Sequence, residues 1–129
     1  MAEQKKKILL VEDDLQLIDM YQRKFEMEGF EVAIAEDGIK AMEVLKAFNP
    51  DIVLLDIMIP QVNGIEVFKQ IRGDLATADL IVVMLTNLSS ESTAEEIYKY
   101  GATEYIVKAE MTPMQVTDKV KELLKIYKK

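Results

Sequence analysis

Apolar and polar positions follow two alternating patterns along this chain. Five short runs are rich in Val, Ile and Leu and have the length of β-strands: residues 7–12, 31–35, 51–55, 80–85 and 104–107. The first, third and fourth runs are almost continuously apolar, which is typical of strands that are buried on both faces of a sheet. The pattern therefore predicts five strands, several of them deep inside the molecule.

The segments that follow these runs have the spacing of amphipathic helices. Apolar residues recur there at intervals of three and four, which predicts helices over residues 15–28, 38–48, 64–72, 91–100 and 112–127. Tyr98 and Tyr127 are among the positions expected to face the core. Glycines stand where helices should end, and we expect C-caps at Gly29, Gly73 and Gly101.

Regular alternation of strands and helices predicts an α/β fold with a parallel sheet covered on both faces. Five units are too few for an eight-stranded barrel, so we expect a doubly wound (βα)5 sheet with strand order 2-1-3-4-5. We expect one domain over residues 1–129, with its core at about 6–127 and no effector domain. In this topology ligands bind beyond the carboxyl ends of the strands, where the first and third strands are neighbours.

Composition narrows the chemistry that this domain can perform. The chain has no Cys and no His, which excludes thiol catalysis, disulfides, Ser–His triads and nearly all zinc sites. The formal net charge of −7, from 16 basic and 23 acidic residues, argues against nucleic-acid binding by this domain. No apolar run approaches the ~20 residues of a membrane span, and the N-terminus lacks a signal-peptide pattern. We therefore expect a cytoplasmic protein without membrane contact.

Polar side chains follow four of the five predicted strands. An acid at a strand end is often only a helix N-cap, and we expect that role for Asp14. The four strand ends taken together instead indicate one shared site, built from Glu12, Asp13 and Asp14 after the first strand, Asp56 after the third, Thr86 and Asn87 after the fourth, and Lys108 after the fifth.

This residue set favours phosphoryl chemistry on a carboxylate. Clustered carboxylates raise one another's pKa and call for a cation, and an all-oxygen site selects Mg²⁺, with Mn²⁺ as an alternative. No glycine-rich phosphate loop follows the first strand, which argues against a nucleotide. A covalent aspartyl phosphate on one of the acids fits better, with Lys108 neutralising the phosphoryl group and Thr86 donating a hydrogen bond to it.

Four segments carry a family likeness that covers the chain from about residue 6 to its end: ILLVEDD, LLDIMIPQVNG, MLTN and GATEYIVK. In this order and at these separations they resemble the receiver domain of bacterial two-component response regulators. The resemblance implies a signalling switch rather than an enzyme. Its partners would be a sensor histidine kinase or a histidine phosphotransfer protein, and a downstream protein or lost effector domain.

The resemblance also implies a role for individual residues. It makes Asp56 the phosphoacceptor, Asp13 a direct Mg²⁺ ligand beside Asp56, and Glu12 a ligand acting through water. It assigns the last protein ligand to the backbone carbonyl of Met58, and the phosphoryl contacts to Thr86 and Lys108. Tyr105 matches the aromatic switch residue, which turns inward when the hydroxyl of Thr86, the other switch residue, moves onto the phosphoryl group. The face built from segments 91–100, 104–107 and 112–127 is the expected docking face. The expected assembly is a monomer or a weak, phosphorylation-dependent dimer.

Two positions depart from the family pattern. Ala109 stands where a proline usually follows the lysine with a cis bond, which leaves the Lys108–Ala109 bond open between trans and strained cis. Asn87 stands where a very small residue is usual, and we expect it to slow hydrolysis of the aspartyl phosphate. Because of both departures, a degenerate receiver that only docks partners remains an alternative.

Two further alternatives have less support in the sequence. An Mg²⁺-dependent phosphohydrolase with an Asp nucleophile needs a second acid two residues later, and position 58 is Met. A flavodoxin-like FMN binder shares the expected fold, but the acidic loop after the first strand opposes a flavin phosphate.

Overall fold

Strands and helices alternate as the apolar pattern predicts. The computed structural model describes residues 5–127. Its elements are β1 (Lys7–Val11), α1 (Leu15–Met27), β2 (Glu31–Ala35), α2 (Gly38–Phe48), β3 (Ile52–Leu55), α3 (Gly64–Gly73), β4 (Ile81–Thr86), α4 (Glu91–Lys99), β5 (Glu104–Val107) and α5 (Pro113–Ile126). A short 3₁₀ turn at Lys108–Glu110 is the element that periodicity did not predict. The predicted domain range includes residues 1–4 and 128–129, which lie outside the described part.

The five strands form one parallel sheet in the order β2-β1-β3-β4-β5, which confirms the predicted topology. Alternate strand residues point to opposite faces. On one face Leu9 and Val53 pack with Phe68 of α3, and on the other Leu10 and Leu54 pack with the apolar sides of α1 and α5. Helices therefore cover both faces, as the doubly wound fold requires.

Caps end the helices at the positions where the chain changes direction. The Asp14 carboxylate accepts hydrogen bonds from the N–H groups of Gln16 and Leu17 and caps α1, which confirms its expected role. The C-caps of α1 and α4 are Glu28 and Tyr100, and the predicted Gly29 and Gly101 come one residue later, with φ of 92° and 98°. The prediction for Gly73 is wrong, because it is the last residue of α3 and the C-cap is Asp74.

Two tyrosines expected in the core lie at the surface. Tyr98 is 45% exposed and Tyr127 is 51% exposed. In α4 the only buried residue is Ile97, so its apolar stripe is narrower than the sequence spacing indicates. Tyr127 is the C-cap of α5 and not a helical residue, so helical spacing does not determine its direction.

The start of α3 lies unusually close to the end of β3. The N–H of Gly64 donates to the carbonyl of Ile57 over 2.9 Å, and a Cβ on Gly64 would lie 2.1 Å from the carbonyl oxygen of Asp56. Only glycine permits this approach, which fixes the loop that follows Asp56.

None of the helices between residues 5 and 127 combines the length and the apolar character that a membrane span requires.

Candidate functional site

The carboxyl ends of β1, β3 and β5 bring the predicted site residues together. Pairing of β1 with β3 places the loop with Glu12 and Asp13 beside Asp56, whose N–H donates to the carbonyl of Val11 over 3.1 Å. One carboxylate oxygen from each of Glu12, Asp13 and Asp56 lies within 4.8 Å of the others. Asp13 is exposed, whereas Glu12 and Asp56 are only 2% and 5% exposed.

Lys108 is the cation of this cluster. Its ammonium donates to the Asp56 carboxylate over 2.7 Å and also to the Glu12 carboxylate. The lysine side chain is itself buried, with 7% exposed. One ammonium therefore lies between two buried carboxylates from different strands and joins β1, β3 and β5 at one point.

The remaining carboxylate oxygens of the two buried acids are held by backbone donors. The second oxygen of Glu12 accepts from the N–H groups of Asp13 and Asp14, each over 3.1 Å. The second oxygen of Asp56 accepts from the N–H of Met58 over 3.0 Å. Both oxygens of Glu12 thus have protein partners, as do both oxygens of Asp56, and the expected indirect role of Glu12 toward a metal stays a prediction. The Met58 side chain is exposed, and the role of its carbonyl stays a prediction.

Burial and charge act in opposite directions on this cluster. Burial raises the pKa of Glu12 above its ordinary value, and the hydrogen bond and charge of Lys108 only partly offset the effect. Burial alone would lower the pKa of Lys108, but hydrogen bonds and charge from Asp56 and Glu12 together raise it. Lys108 therefore keeps its proton at neutral pH, and the stability that it contributes is lost only in alkaline solution.

The donor set fits a hard divalent cation. Three carboxylates face one ammonium, so the formal charge of the cluster is −3 + 1 = −2 when all four groups are ionised. All candidate donors are oxygens, which Mg²⁺ prefers, and the exposed Asp13 carboxylate gives access from solvent. Glu12, Asp13 and Asp56 are thus the residues that could hold Mg²⁺.

A second group of predicted residues meets at the loop between β4 and α4. Thr86 is fully buried at the end of β4, and its hydroxyl oxygen accepts from the N–H of Leu88 over 3.2 Å. The hydroxyl of Tyr105 donates to the carbonyl of the same Leu88 over 2.5 Å. The two predicted switch residues therefore hold the two peptide groups that flank the Cα of Leu88, Thr86 through the N–H and Tyr105 through the carbonyl. Sequence reasoning missed Leu88, because a backbone acceptor leaves no signal in residue type.

A model of the response regulator receiver domain matches residues 8–121 of this chain. The chain belongs to the response regulator receiver domain family. Membership confirms the family resemblance and the fold, and it supports a receiver over the flavin-binding and phosphohydrolase alternatives. The roles of individual residues in this receiver domain stay predictions.

Individual relatives agree with this assignment. The DNA-binding dual master transcriptional regulator RpaA of Synechocystis is 36% identical over 102 residues, which cover 79% of this chain and 42% of that protein. A receiver domain protein of Methanospirillum hungatei superposes with a TM-score of 0.88 at 27% identity, covering 96% of this chain and 97% of that one. The phosphorylated cyanobacterial phytochrome response regulator RcpA does so with 0.80 at 29% identity, covering 96% and 94%.

The curated relatives are longer than this receiver domain. The chain spans about half the length of the curated relatives that it matches. The activities and partners of these full-length relatives can therefore be assigned to this chain only as proposals.

The structure shows the surroundings of Ala109 and Asn87, the two positions that depart from the family pattern. No peptide bond in residues 5–127 is cis, so the bond between Lys108 and Ala109 is trans, and Ala109 lies inside the 3₁₀ turn after β5. The Lys108 ammonium still reaches both buried acids from this turn. Asn87 is exposed beside the buried Thr86, where its amide can contact solvent near the site.

Proposed function

We propose that this receiver domain is a phosphoacceptor switch in two-component signalling. Asp56 takes a phosphoryl group from a phosphohistidine on a sensor kinase or a phosphotransfer protein, and the domain then controls a downstream protein or an effector domain. The observation that carries the proposal is the position of the Asp56 carboxylate, which lies between the Lys108 ammonium and the Met58 N–H beside two further acids.

The transfer needs no general base from the protein. A carboxylate oxygen of Asp56 forms the new P–O bond, the P–N bond to the donor imidazole breaks, and the imidazole keeps that electron pair. Lys108 neutralises charge on the phosphoryl oxygens. Because the Thr86 oxygen accepts from Leu88, its own O–H remains to donate to the phosphoryl group.

The acid cluster provides the metal site that this proposal requires. Asp13 and Asp56 would bind Mg²⁺ or Mn²⁺ directly, Glu12 through water, and Met58 through its backbone carbonyl. The bound ion supplies positive charge that relieves the repulsion among the acids and stabilises the transferred phosphoryl oxygens.

Thr86 and Tyr105 would carry the signal outward. Since Thr86 holds the N–H of Leu88 and Tyr105 holds its carbonyl, a shift of Thr86 toward a phosphoryl group would release the N–H and move the adjoining carbonyl to which Tyr105 is bonded. The face formed by α4, β5 and α5 would then change its shape for a partner, including a second copy in a weak dimer.

The proposed function is tested by direct phosphorylation. Wild type incubated with acetyl phosphate and Mg²⁺ is expected to gain the mass of one phosphate, and Asp56→Asn is expected to gain none. Asp118→Asn, which removes an exposed acid of α5, is the matched control and should behave as wild type. Absence of the mass gain in wild type would favour a docking-only receiver, and rapid turnover of phosphomonoesters would favour a hydrolase.

Asp13→Asn is expected to have opposite effects with and without metal. Without Mg²⁺ it removes one of three clustered negative charges and should raise the free energy of unfolding by up to about 1 kcal/mol. With Mg²⁺, wild type should gain stability from binding, on the order of 2.7 kcal/mol at one hundred times Kd, and the variant should gain much less. Urea unfolding with and without Mg²⁺ measures both effects.

Asp14→Asn is the control for that comparison. It removes a neighbouring charge, and asparagine still caps α1. Equal Mg²⁺ stabilisation in Asp13→Asn and Asp14→Asn would contradict the assignment of Asp13 as a ligand.

Asn87→Ala is expected to speed loss of the phosphoryl group a few-fold. The exposed amide lies next to Thr86, where it can shield the acyl phosphate from water or displace the attacking water. The rate of autodephosphorylation is measured by intact mass at intervals after acetyl phosphate is removed. Equal rates in wild type and Asn87→Ala would contradict the expected role of Asn87.

A further inference from the structure

Helix α4 is held to the domain by few apolar contacts. Of its nine residues, Ile97 alone is buried. Hydrogen bonds from tyrosine side chains provide further contacts between α4 and its neighbours. Tyr98 of α4 accepts the backbone N–H of Tyr105 in β5 over 2.9 Å, and Tyr105 in turn bonds the loop before α4 at Leu88. The position of α4 therefore depends on a small number of specific bonds.

Arg72, near the end of α3, makes one of these links at the other end of α4. Its Nε and Nη2 donate to the carbonyl of Gly101 over 3.0 and 2.9 Å, and its guanidinium lies 5.4 Å from the centre of the Phe68 ring. Gly101 has φ of 98°, a conformation that side chains rarely adopt, so its carbonyl is set by the turn. We call this two-bond contact the clasp.

Lys69, one turn earlier on α3, also reaches α4 but contacts only side chains. Its ammonium is 4.0 Å from the Glu96 carboxylate and 4.9 Å from the centre of the Tyr100 ring. These are exposed contacts of the kind that contribute little to stability. Arg72 differs because its planar fork holds a backbone carbonyl in a defined direction.

The opposite end of α3 packs against the proposed phosphorylation site. Gly64, at its start, approaches the backbone of Asp56 so closely that no side chain fits. Val67, Phe68 and Ile71 are buried in the core, so α3 packs against the sheet along its length. About 12 Å of helix separates Gly64 from Arg72, at 1.5 Å per residue.

We propose that Arg72 is a positioning residue that couples the state of Asp56 to the position of α4. It does so by holding the turn after α4 at Gly101. This inference rests on the proposed phosphorylation of Asp56 and adds to it a second route beside Thr86 and Tyr105. A backbone shift at Asp56 moves the start of α3, and the clasp carries that movement to the end of α4.

One donor of the Arg72 guanidinium is left unpaired in the clasp. Nη1 of Arg72 is buried and meets no hydrogen-bond partner within residues 5–127. An unpaired buried donor is unfavourable, and a displaced turn that offers it a carbonyl removes this penalty. Such a second arrangement would give the clasp the two states that a coupling element requires.

The test compares transmission with chemistry in the same protein. Arg72→Met keeps the length of the stem without the guanidinium, Arg72→Lys keeps the charge without the fork, and Lys69→Met is the matched control on the same helix. Hydrogen exchange of peptides covering residues 97–107 is measured by mass spectrometry before and after treatment with acetyl phosphate and Mg²⁺. Intact mass reports phosphate uptake by Asp56, with Asp56→Asn as the blank.

Without phosphate, Arg72→Met is expected to exchange about tenfold faster than wild type at residues 100–103, because two bonds to a charged group are lost. Lys69→Met should stay close to wild type. All variants except Asp56→Asn should take up phosphate at a similar rate. The change in exchange on phosphorylation should be several-fold smaller in Arg72→Met and intermediate in Arg72→Lys.

Each other outcome has a separate meaning. A phosphorylation response in Arg72→Met equal to that of wild type overturns the coupling role, even if the turn opens faster. Lack of phosphate uptake by wild type overturns the proposed function, and with it the coupling, whereas the exchange comparison without phosphate still tests the clasp as a local contact. If Arg72→Met does not fold, Arg72→Lys carries the comparison, and a wild-type response there overturns the coupling.

Discussion

Lys108→Met is expected to lower the free energy of unfolding by about 3 kcal/mol at neutral pH in metal-free buffer, the scale seen when one partner of a buried ion pair is removed. Methionine keeps a similar stem but leaves Glu12 and Asp56 without their shared cation. Both acids are almost fully buried, so water cannot replace the lost partner. Urea unfolding at pH 7 measures the loss.

The same variant should regain much of its stability in acid. Burial already raises the pKa of Glu12, and Lys108 supplies the largest opposing contribution. Without Lys108 the folded pKa rises further above the ordinary value of 4.5, so the folded state binds a proton more readily than the unfolded state. The variant therefore loses stability as pH rises from the ordinary glutamate range through the folded pKa.

An exposed lysine provides the control for this prediction. Lys125→Met, in the last turn of α5, should change the free energy of unfolding by less than about 0.5 kcal/mol. A Lys108→Met deficit that is the same at pH 5 and pH 8 would show that lost packing, and not unpaired charge, is responsible.

Gly64→Ala is expected to destabilise the domain by about 3 kcal/mol, at the upper end for forcing one extra carbon into a packed site. The new Cβ would lie 2.1 Å from the carbonyl oxygen of Asp56 and 2.6 Å from the Cα of Ile57. Both are backbone atoms, which cannot turn aside as a flexible side chain can. We therefore expect α3 to shift at its start and the loop after Asp56 to shift with it.

Gly73→Ala, at the other end of α3, should have the opposite sign. A Cβ there meets nothing within 4 Å, and alanine favours a helix over glycine by up to about 1 kcal/mol. Thermal unfolding of both variants measures the difference. Since the Gly64 clash involves Asp56, acetyl phosphate should also label the folded Gly64→Ala more slowly than Gly73→Ala, and equal labelling rates would contradict this link.

The elements and their order were predictable because each depends on a pattern that survives in one dimension. Burial on two faces leaves continuous apolar strands, and one buried face leaves a helical stripe. The pattern failed at Tyr98 because α4 buries only one residue, Ile97. It failed at Tyr127 because α5 has already ended there. It also missed the 3₁₀ turn at Lys108–Glu110, since three residues are too few to show a period.

The membership of the acid cluster was predictable for a different reason. Parallel strands end at the same edge of the sheet, so polar residues at successive strand ends must lie near one another. This geometry brings Glu12, Asp13, Asp56 and Lys108 together. It does not say which acids share the lysine, because that depends on where each side chain finds space and which oxygens the backbone already holds.

Residue type and spacing were enough to predict the α/β class, the strand order and the residues that meet at the carboxyl edge, because burial and chain connectivity both leave a pattern along the chain. Three contacts became visible only in the folded molecule: Lys108 joins Glu12 to Asp56, Thr86 and Tyr105 meet at Leu88, and Arg72 holds the turn at Gly101. Two of these three contacts end on backbone atoms. Every residue carries the same backbone groups, so only the folded path of the chain selects which of them a side chain reaches.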